Sequence, residues 1–370
     1  MNRWLSAVFF FAALIFALIR APEVRPTTFL VRPPASPSAL PVEFALEQLP
    51  AVAPSAHAST LTELADGRLA AAWYAGTREG AADVQIWFST RDASGWSSPH
   101  VVATRADTSA GTGASTRKLG NPVLSSEGAR LHLWYVSVSI GGWSGSSINH
   151  RISRDGGQSW SMPERLVTSP FLNFGTLVRS QPVALMDGGF GLPIYHELFA
   201  RRAEWLRFDH SGRILGKARL ANSSPVLQPS VAALDEHRAI AVLRSADRQN
   251  GRVMMNVTDD GGASWRPSAS RPVANRDSSV ALLRLASGRL VLACNPDRGR
   301  NLLRLFVSDD IGETWLPARI VASDPDPAVE YSYPSLLQTS DGRIHVSFTF
   351  RRQTIAHAVF TEAALSESQP

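Results

Sequence analysis

Apolar positions fall into two regimes along the chain. Trp4 to Ile19 (WLSAVFFFAALIFALI) is apolar throughout except for Ser6. From about residue 43 the pattern changes to short runs rich in branched and aromatic residues, punctuated by Gly, Asp, Asn and Ser. Examples are Arg68–Tyr74 (RLAAAWY), Val84–Ser89 (VQIWFS), Leu131–Val136 (LHLWYV), Val253–Val257 (VMMNV) and Ile344–Phe350 (IHVSFTF). Runs this short, bounded by turn residues, predict strands. No amphipathic helix of ten or more residues is expected beyond the leading run.

As a helix, the leading run would be about 24 Å long. That is short for a bilayer core of roughly 30 Å, but Arg3 and Arg20 at its ends can reach outward. A secretory signal has the same layout. Residues 1–22 therefore read as a signal peptide or a membrane anchor, and either implies export. Residues 21–41 carry six prolines among small residues, so 23–42 is expected to be an extended tether holding a domain off a surface. The domain itself is expected over 43–362, with a tail at 363–370.

A turn motif recurs behind the strands. Ser153–Trp160 reads SRDGGQSW, Thr258–Trp265 reads TDDGGASW and Ser308–Trp315 reads SDDIGETW; Ser89–Trp96 (STRDASGW) is a degenerate copy. The Asp can accept backbone N–H bonds across a turn, the Gly takes a positive φ and the hydroxyl closes the loop. The Trp is expected to bury its ring against its own blade. The motifs start at 89, 153, 258 and 308, and the last gap of 50 sets the period. A decayed copy is then expected near 207, where Trp205–Gly212 (WLRFDHSG) lies, and a sixth unit ends on Ile355–Phe360. Six units of four strands predict an all-β, six-bladed propeller of antiparallel blades, preceded by one N-terminal hydrophobic helix. The missing outer strand of the last blade would come from Val42–Leu49.

Composition narrows the function classes. With 44% hydrophobic residues the chain can bury a substantial core. The net charge of +5 comes from scattered arginines, with Lys118 and Lys217 the only lysines. No basic run points to nucleic acid. A single cysteine, Cys294, excludes an intrachain disulfide and a Cys-based zinc site. His57, His150 and His196 are too dispersed to argue for a metal.

The turn motifs resemble the Asp boxes of the sialidase (neuraminidase) superfamily, and the chain resembles its bacterial predicted neuraminidases over about residues 43–362. The resemblance implies a structural role for the boxes. It further implies catalysis by a Tyr activated by a Glu, an Asp acid/base, and three Arg that clamp a substrate carboxylate. Tyr331 in Glu330–Leu336 (EYSYPSL) best matches the nucleophile, with Tyr333 as its neighbouring alternative. Asp83 in Arg78–Ile86 (REGAADVQI) best matches the acid/base, with Glu79 able to pair with it. Arg244 in AIAVLRS matches the second Arg. Arg300 in NPDRGRNL matches the third, with Arg298 as alternate. Two positions depart from the family. His57 stands where the first Arg is expected, and Gln228 stands where the Glu is expected and cannot act as a base. Glu197, beside Tyr195 and His196, is a candidate replacement; Arg179 and Asn121 are further pocket candidates.

The expectation is an exported, membrane-tethered or periplasmic/extracellular exo-glycoside hydrolase of sialidase-like type, acting on a terminal sugar, an acidic one in preference with a neutral one left open. It would need no cofactor or metal and would work as a monomer. The alternative is a non-catalytic propeller that binds a glycan.

Overall fold

The computed structural model describes residues 3–19, 27–31, 40–169, 173–221, 225–247, 251–270, 273–297 and 299–365. Six antiparallel sheets follow one another along the chain as the blades of a propeller. Their innermost strands are Ser55–Glu63, Lys118–Glu127, Thr176–Val178 with Val183–Ala184, Val226–Ala233, Ala281–Arg284 and Tyr331–Gln338. The ring closes as the repeat predicts. Phe44–Gln48 pairs with Thr354–Phe360, with Phe44 opposite Phe360, so the first strand completes the sixth blade.

Alternation within each strand fills the spaces between blades. Trp73, Trp134 and Trp205 are almost wholly buried, as are Tyr135, Phe88, Phe208, Phe348 and Phe360. Cys294 is buried as well, and burial pushes its thiol pKa up. A capped eight-residue helix, Arg105–Thr112, links the first two blades. Thr104 and Asp107 form its capping box, and Gly113 ends it in the left-handed region.

The three intact turn motifs are built alike. Asp155 accepts hydrogen bonds from the hydroxyl of Ser153 and from the backbone N–H of Ser159, at 2.7 and 2.9 Å. Asp260 does the same with Thr258 and Ser264, and Asp310 with Ser308 and Thr314, at the same distances. The expected decayed copy is also a turn, in which Asp209 accepts from Ser211 and Arg213. The packing differs from expectation: the boxes lean on the preceding blade as well as closing their own. A Cβ on Gly157 would meet Phe88 at 2.4 Å, one on Gly262 would meet Trp205 at 2.8 Å and one on Gly312 would meet Ile240 at 2.6 Å. Trp160 lies edge-on to Phe88, and Trp265 lies against Trp205. The boxes clamp neighbouring blades together, so they carry no chemistry at the axis.

The termini depart from the expected tether and tail. Phe29, within the Pro-rich segment, is fully buried and bridges to Leu185. At the other end, Glu362–Leu365 forms a short turn of helix whose Ala364 and Leu365 are buried. The leading helix spans Arg3–Ile19. Among the described residues no helix is long and apolar enough to cross a membrane.

Candidate active site

Each inner strand begins at one face of the propeller, here called the upper face, and four of them are bulged close to that start. The register shifts between His57 and Thr60, Gly120 and Val123, Leu227 and Ser230, and Ser332 and Ser335. Within each bulge one residue takes a positive φ: Ala58 (50°), Asn121 (42°), Gln228 (50°) and Tyr333 (55°). Asp277, ahead of the fifth inner strand, is at 49°. Such a conformation is costly for non-glycine residues and persists where the surroundings enforce it. The bulges bring these residues together around the axis.

Tyr333 is the hub. Arg244 donates to its hydroxyl across 3.3 Å. The His57 ring lies 4.3 Å from its ring, centroid to centroid. The guanidinium groups of Arg179 and Arg300 lie 5.4 and 5.7 Å from that ring. Tyr331 is not at the axis. It is buried against Phe348 and Phe350, and its hydroxyl reaches toward Asp324. Strict alternation would put Tyr331 and Tyr333 on one face, but the bulge between Ser332 and Ser335 separates them.

The loop after Trp73–Thr77 delivers Glu79 rather than Asp83. Asp83 is exposed, and its carboxylate accepts the N–H and hydroxyl of Thr77 at 2.8 and 2.5 Å, which hold it below the usual carboxylate range. A carboxylate held ionised by its own loop is a poor proton donor. Glu79 is partly buried and bonded to Arg352 at 2.8 Å and to the Tyr74 hydroxyl. Burial raises its pKa, but His57, Arg352 and Tyr74 together outweigh burial and keep it low.

Glu197 is its counterpart on the third blade. Burial raises its pKa, against the partial opposition of Arg201 and Arg244. Lys118 is near enough to feel both Glu79 and Glu197, and its ammonium sits over the Trp143 ring at 4.3 Å. The Tyr195–His196–Glu197 trio splits by alternation. The Tyr195 hydroxyl turns to the axis and accepts from Asn121 at 3.0 Å, while His196 turns away to Glu204 at 2.8 Å.

The arginines are extensively paired. Arg244 holds Asp277 with two nitrogens at 2.7 and 2.8 Å and reaches the Gln228 amide oxygen at 3.3 Å. Arg300 pairs with Glu330 at 2.9 Å and donates to the Asp277 carbonyl at 3.1 Å. Glu330 also holds Arg352 at 2.5 Å; burial opposes ionisation, but these partners pull its pKa down to about 2. Arg179, expected to hold substrate, is buried and donates across the axis to the carbonyls of Tyr333 and Pro334 at 2.7 and 3.1 Å. It props the Tyr333 bulge. His57 does not replace a cation: burial pushes its pKa down to about 3, so the ring is neutral. Arg298 lies outside the described residues.

Sequence reasoning missed Asp277, Arg352, Glu330 and Lys118. A signal for Asp277 existed, because Arg276–Val280 (RDSSV) aligns with Leu227–Val231 (LQPSV) and Ser332–Leu336 (SYPSL) at the start of an inner strand. The assembled mouth combines paired guanidinium groups, a central phenol and two carboxyls whose environments push their pKa values apart.

Residues 67–346 match the model of a family described as BNR repeat-like domain. No curated protein matches the chain by sequence. Among solved structures, the Hadza microbial sialidase Hz136 is similar with a TM-score of 0.69 and 16% identity, covering 84% of this chain and 66% of its own. This chain therefore spans slightly less than two thirds of that relative. A protein of unknown function from Dyadobacter fermentans is similar with a TM-score of 0.67 and 14% identity, covering 85% of this chain and 99% of its own. The intramolecular trans-sialidase from Ruminococcus gnavus, solved with oseltamivir carboxylate, gives 0.65 and 13%, covering 85% of this chain and 96% of its own. At these identities the likeness is one of fold.

Proposed function

The chain belongs to the BNR repeat-like domain family, and we propose that it is a sialidase-like exo-glycoside hydrolase acting on a terminal acidic sugar at the upper mouth. The observation that carries the reading is the meeting of Tyr333 with Arg244, Arg300 and His57, flanked by Glu79 and Glu197. Glu197, with its raised pKa, keeps a proton for the leaving oxygen. Glu79 remains ionised and takes the proton of the attacking water. As the glycosidic C–O bond breaks, the Tyr333 oxygen steadies the positive charge at the reacting carbon. Arg244 and Arg300 attract the anionic group of the sugar, a preference supported by the oseltamivir carboxylate held by the trans-sialidase of similar fold.

A second reading, a glycan-binding propeller without turnover, is favoured by one feature. Gln228 contacts Arg244 where the resemblance expects a base. A panel of 4-methylumbelliferyl glycosides, with N-acetylneuraminate and uronates among them, separates the two. Release of the fluorophore supports the enzyme. Saturable binding without release, abolished in Arg244→Ala, supports the binding module. The reading also takes the chain out of the cytoplasm with Arg3–Ile19 holding it to a membrane; recovery of the full chain in the soluble cytoplasmic fraction would contradict that.

A further inference from the structure

The short segment Thr27–Val31 is built into the propeller. The Phe29 N–H donates to the Glu236 carbonyl at 2.7 Å, and the Leu30 N–H donates to the Ala184 carbonyl at 2.9 Å. In return the Thr28 carbonyl accepts from the Met186 N–H at 2.9 Å. The Phe29 ring is fully buried and meets Trp205 edge-on at 6.1 Å, in a cluster with Leu185, Val226 and Trp265. Gly261 is bare at this point, since a Cβ there would fall 1.7 Å from the Thr27 carbonyl oxygen. The segment thus seals the seam between the third and fourth blades.

Its partners identify the face it occupies. Ala184, Met186 and Glu236 lie where inner strands end and turn back, at the face opposite Tyr333, Gln228 and Asn121. Leu30 and Val31 continue toward the axis there, lining a cavity of about 540 Å³ with Ala233, Leu283 and Leu337. Residues 20–26 alone separate this segment from the helix Arg3–Ile19. Seven residues span at most about 25 Å.

We infer that Thr27–Val31 is a strap that fixes the orientation of the propeller on a lipid bilayer, with the lower face toward the membrane holding Arg3–Ile19 and the Tyr333 mouth facing away. This rests on the reading of Arg3–Ile19 as a membrane anchor. Leu30, Met186 and Ile311 are all exposed at the lower face, at 54%, 56% and 50%, and lie nearest the lipid. Several arginines of the same face are matched by acids, as in Arg68 with Asp66, Arg238 with Asp235 and Arg266 with Asp259. The helix and the strap carry the attachment in this arrangement.

Cys294 is buried, so single introduced cysteines can be labelled selectively. Full-length Met186→Cys and Phe199→Cys, each carrying a nitrobenzoxadiazole label, would be reconstituted with phosphatidylcholine vesicles containing doxyl-lipid quencher. The label at position 186 should be quenched at least threefold more than the label at 199, which marks the upper loop. Adding Phe29→Asp should abolish that difference while circular dichroism keeps the propeller signature. Equal quenching in the parent, the reverse order, or a difference that survives Phe29→Asp overturns the inference. Failure of the full chain to float with the vesicles removes the anchor reading itself, a distinct result that also overturns it.

Discussion

Arg244 points a guanidinium nitrogen at the Tyr333 hydroxyl from 3.3 Å. Its other two nitrogens are occupied by Asp277. The cation closest to the phenol is therefore already balanced by a carboxylate, which moderates the pull of the mouth on an anionic sugar. A partly buried pair of this kind adds little net stability, but removing one member leaves the other uncompensated.

Asp277→Asn should therefore act in opposite directions on binding and on stability. Free N-acetylneuraminate should bind more tightly in calorimetry, because the Arg244 charge is no longer balanced by a neighbouring carboxylate. The fold should lose about 1–3 kcal/mol, the scale of an unsatisfied buried polar group. Weaker anion binding with unchanged stability would refute the pairing as described.

The two carboxyls predict a bell-shaped rate. Burial raises the Glu197 pKa, so its proton is retained to higher pH than in an ordinary Glu and is lost as the pH rises through that value. His57, Arg352 and Tyr74 together overcome the effect of burial on Glu79, so its ionised form persists to lower pH than usual. The alkaline limb of kcat/KM belongs to Glu197 and the acid limb to Glu79. Glu197→Gln should remove the alkaline limb and cut the rate by roughly 10²–10⁴-fold. A profile whose alkaline limb survives that substitution would assign the proton elsewhere.

Ile311 offers a test of the turn motif. It holds φ 61°, where the other two boxes place Gly156 at 71° and Gly261 at 69°. A β-branched residue in this region is disfavoured, and its side chain is half exposed. Ile311→Gly should raise stability by about 1 kcal/mol, read as a higher denaturant midpoint at unchanged slope. A lower midpoint would mean that the exposed side chain contributes more than its conformation costs.

The blades were legible because the turn motif is both local and repeated. Asp155, Asp260 and Asp310 build the same turn from the same neighbours, so spacing alone located the units, including the closing strand Phe44–Gln48. The mouth was less legible because bulges break the period of two. Tyr331 and Tyr333 are equivalent under alternation, and the distinction lies in the residue before Pro334 taking a positive φ. Asn121 and Gln228 precede Pro122 and Pro229 in the same way. Glu79 and Asp83 share one loop, and the choice between them is made by Thr77 capturing Asp83. Phe29 was hidden by its proline-rich surroundings, although a lone aromatic in such a segment needs a place to bury its ring.

The central claim is that Tyr333, and not its neighbour, faces the reacting sugar. The direct measurement is turnover of the glycoside that the wild-type chain cleaves, compared between Tyr333→Phe and Tyr331→Phe at equal fold content by circular dichroism. Tyr333→Phe should lower kcat by roughly 10²-fold or more, and Tyr331→Phe should stay within about threefold of wild type. Near-wild-type turnover in Tyr333→Phe, or the larger loss in Tyr331→Phe, would contradict the account.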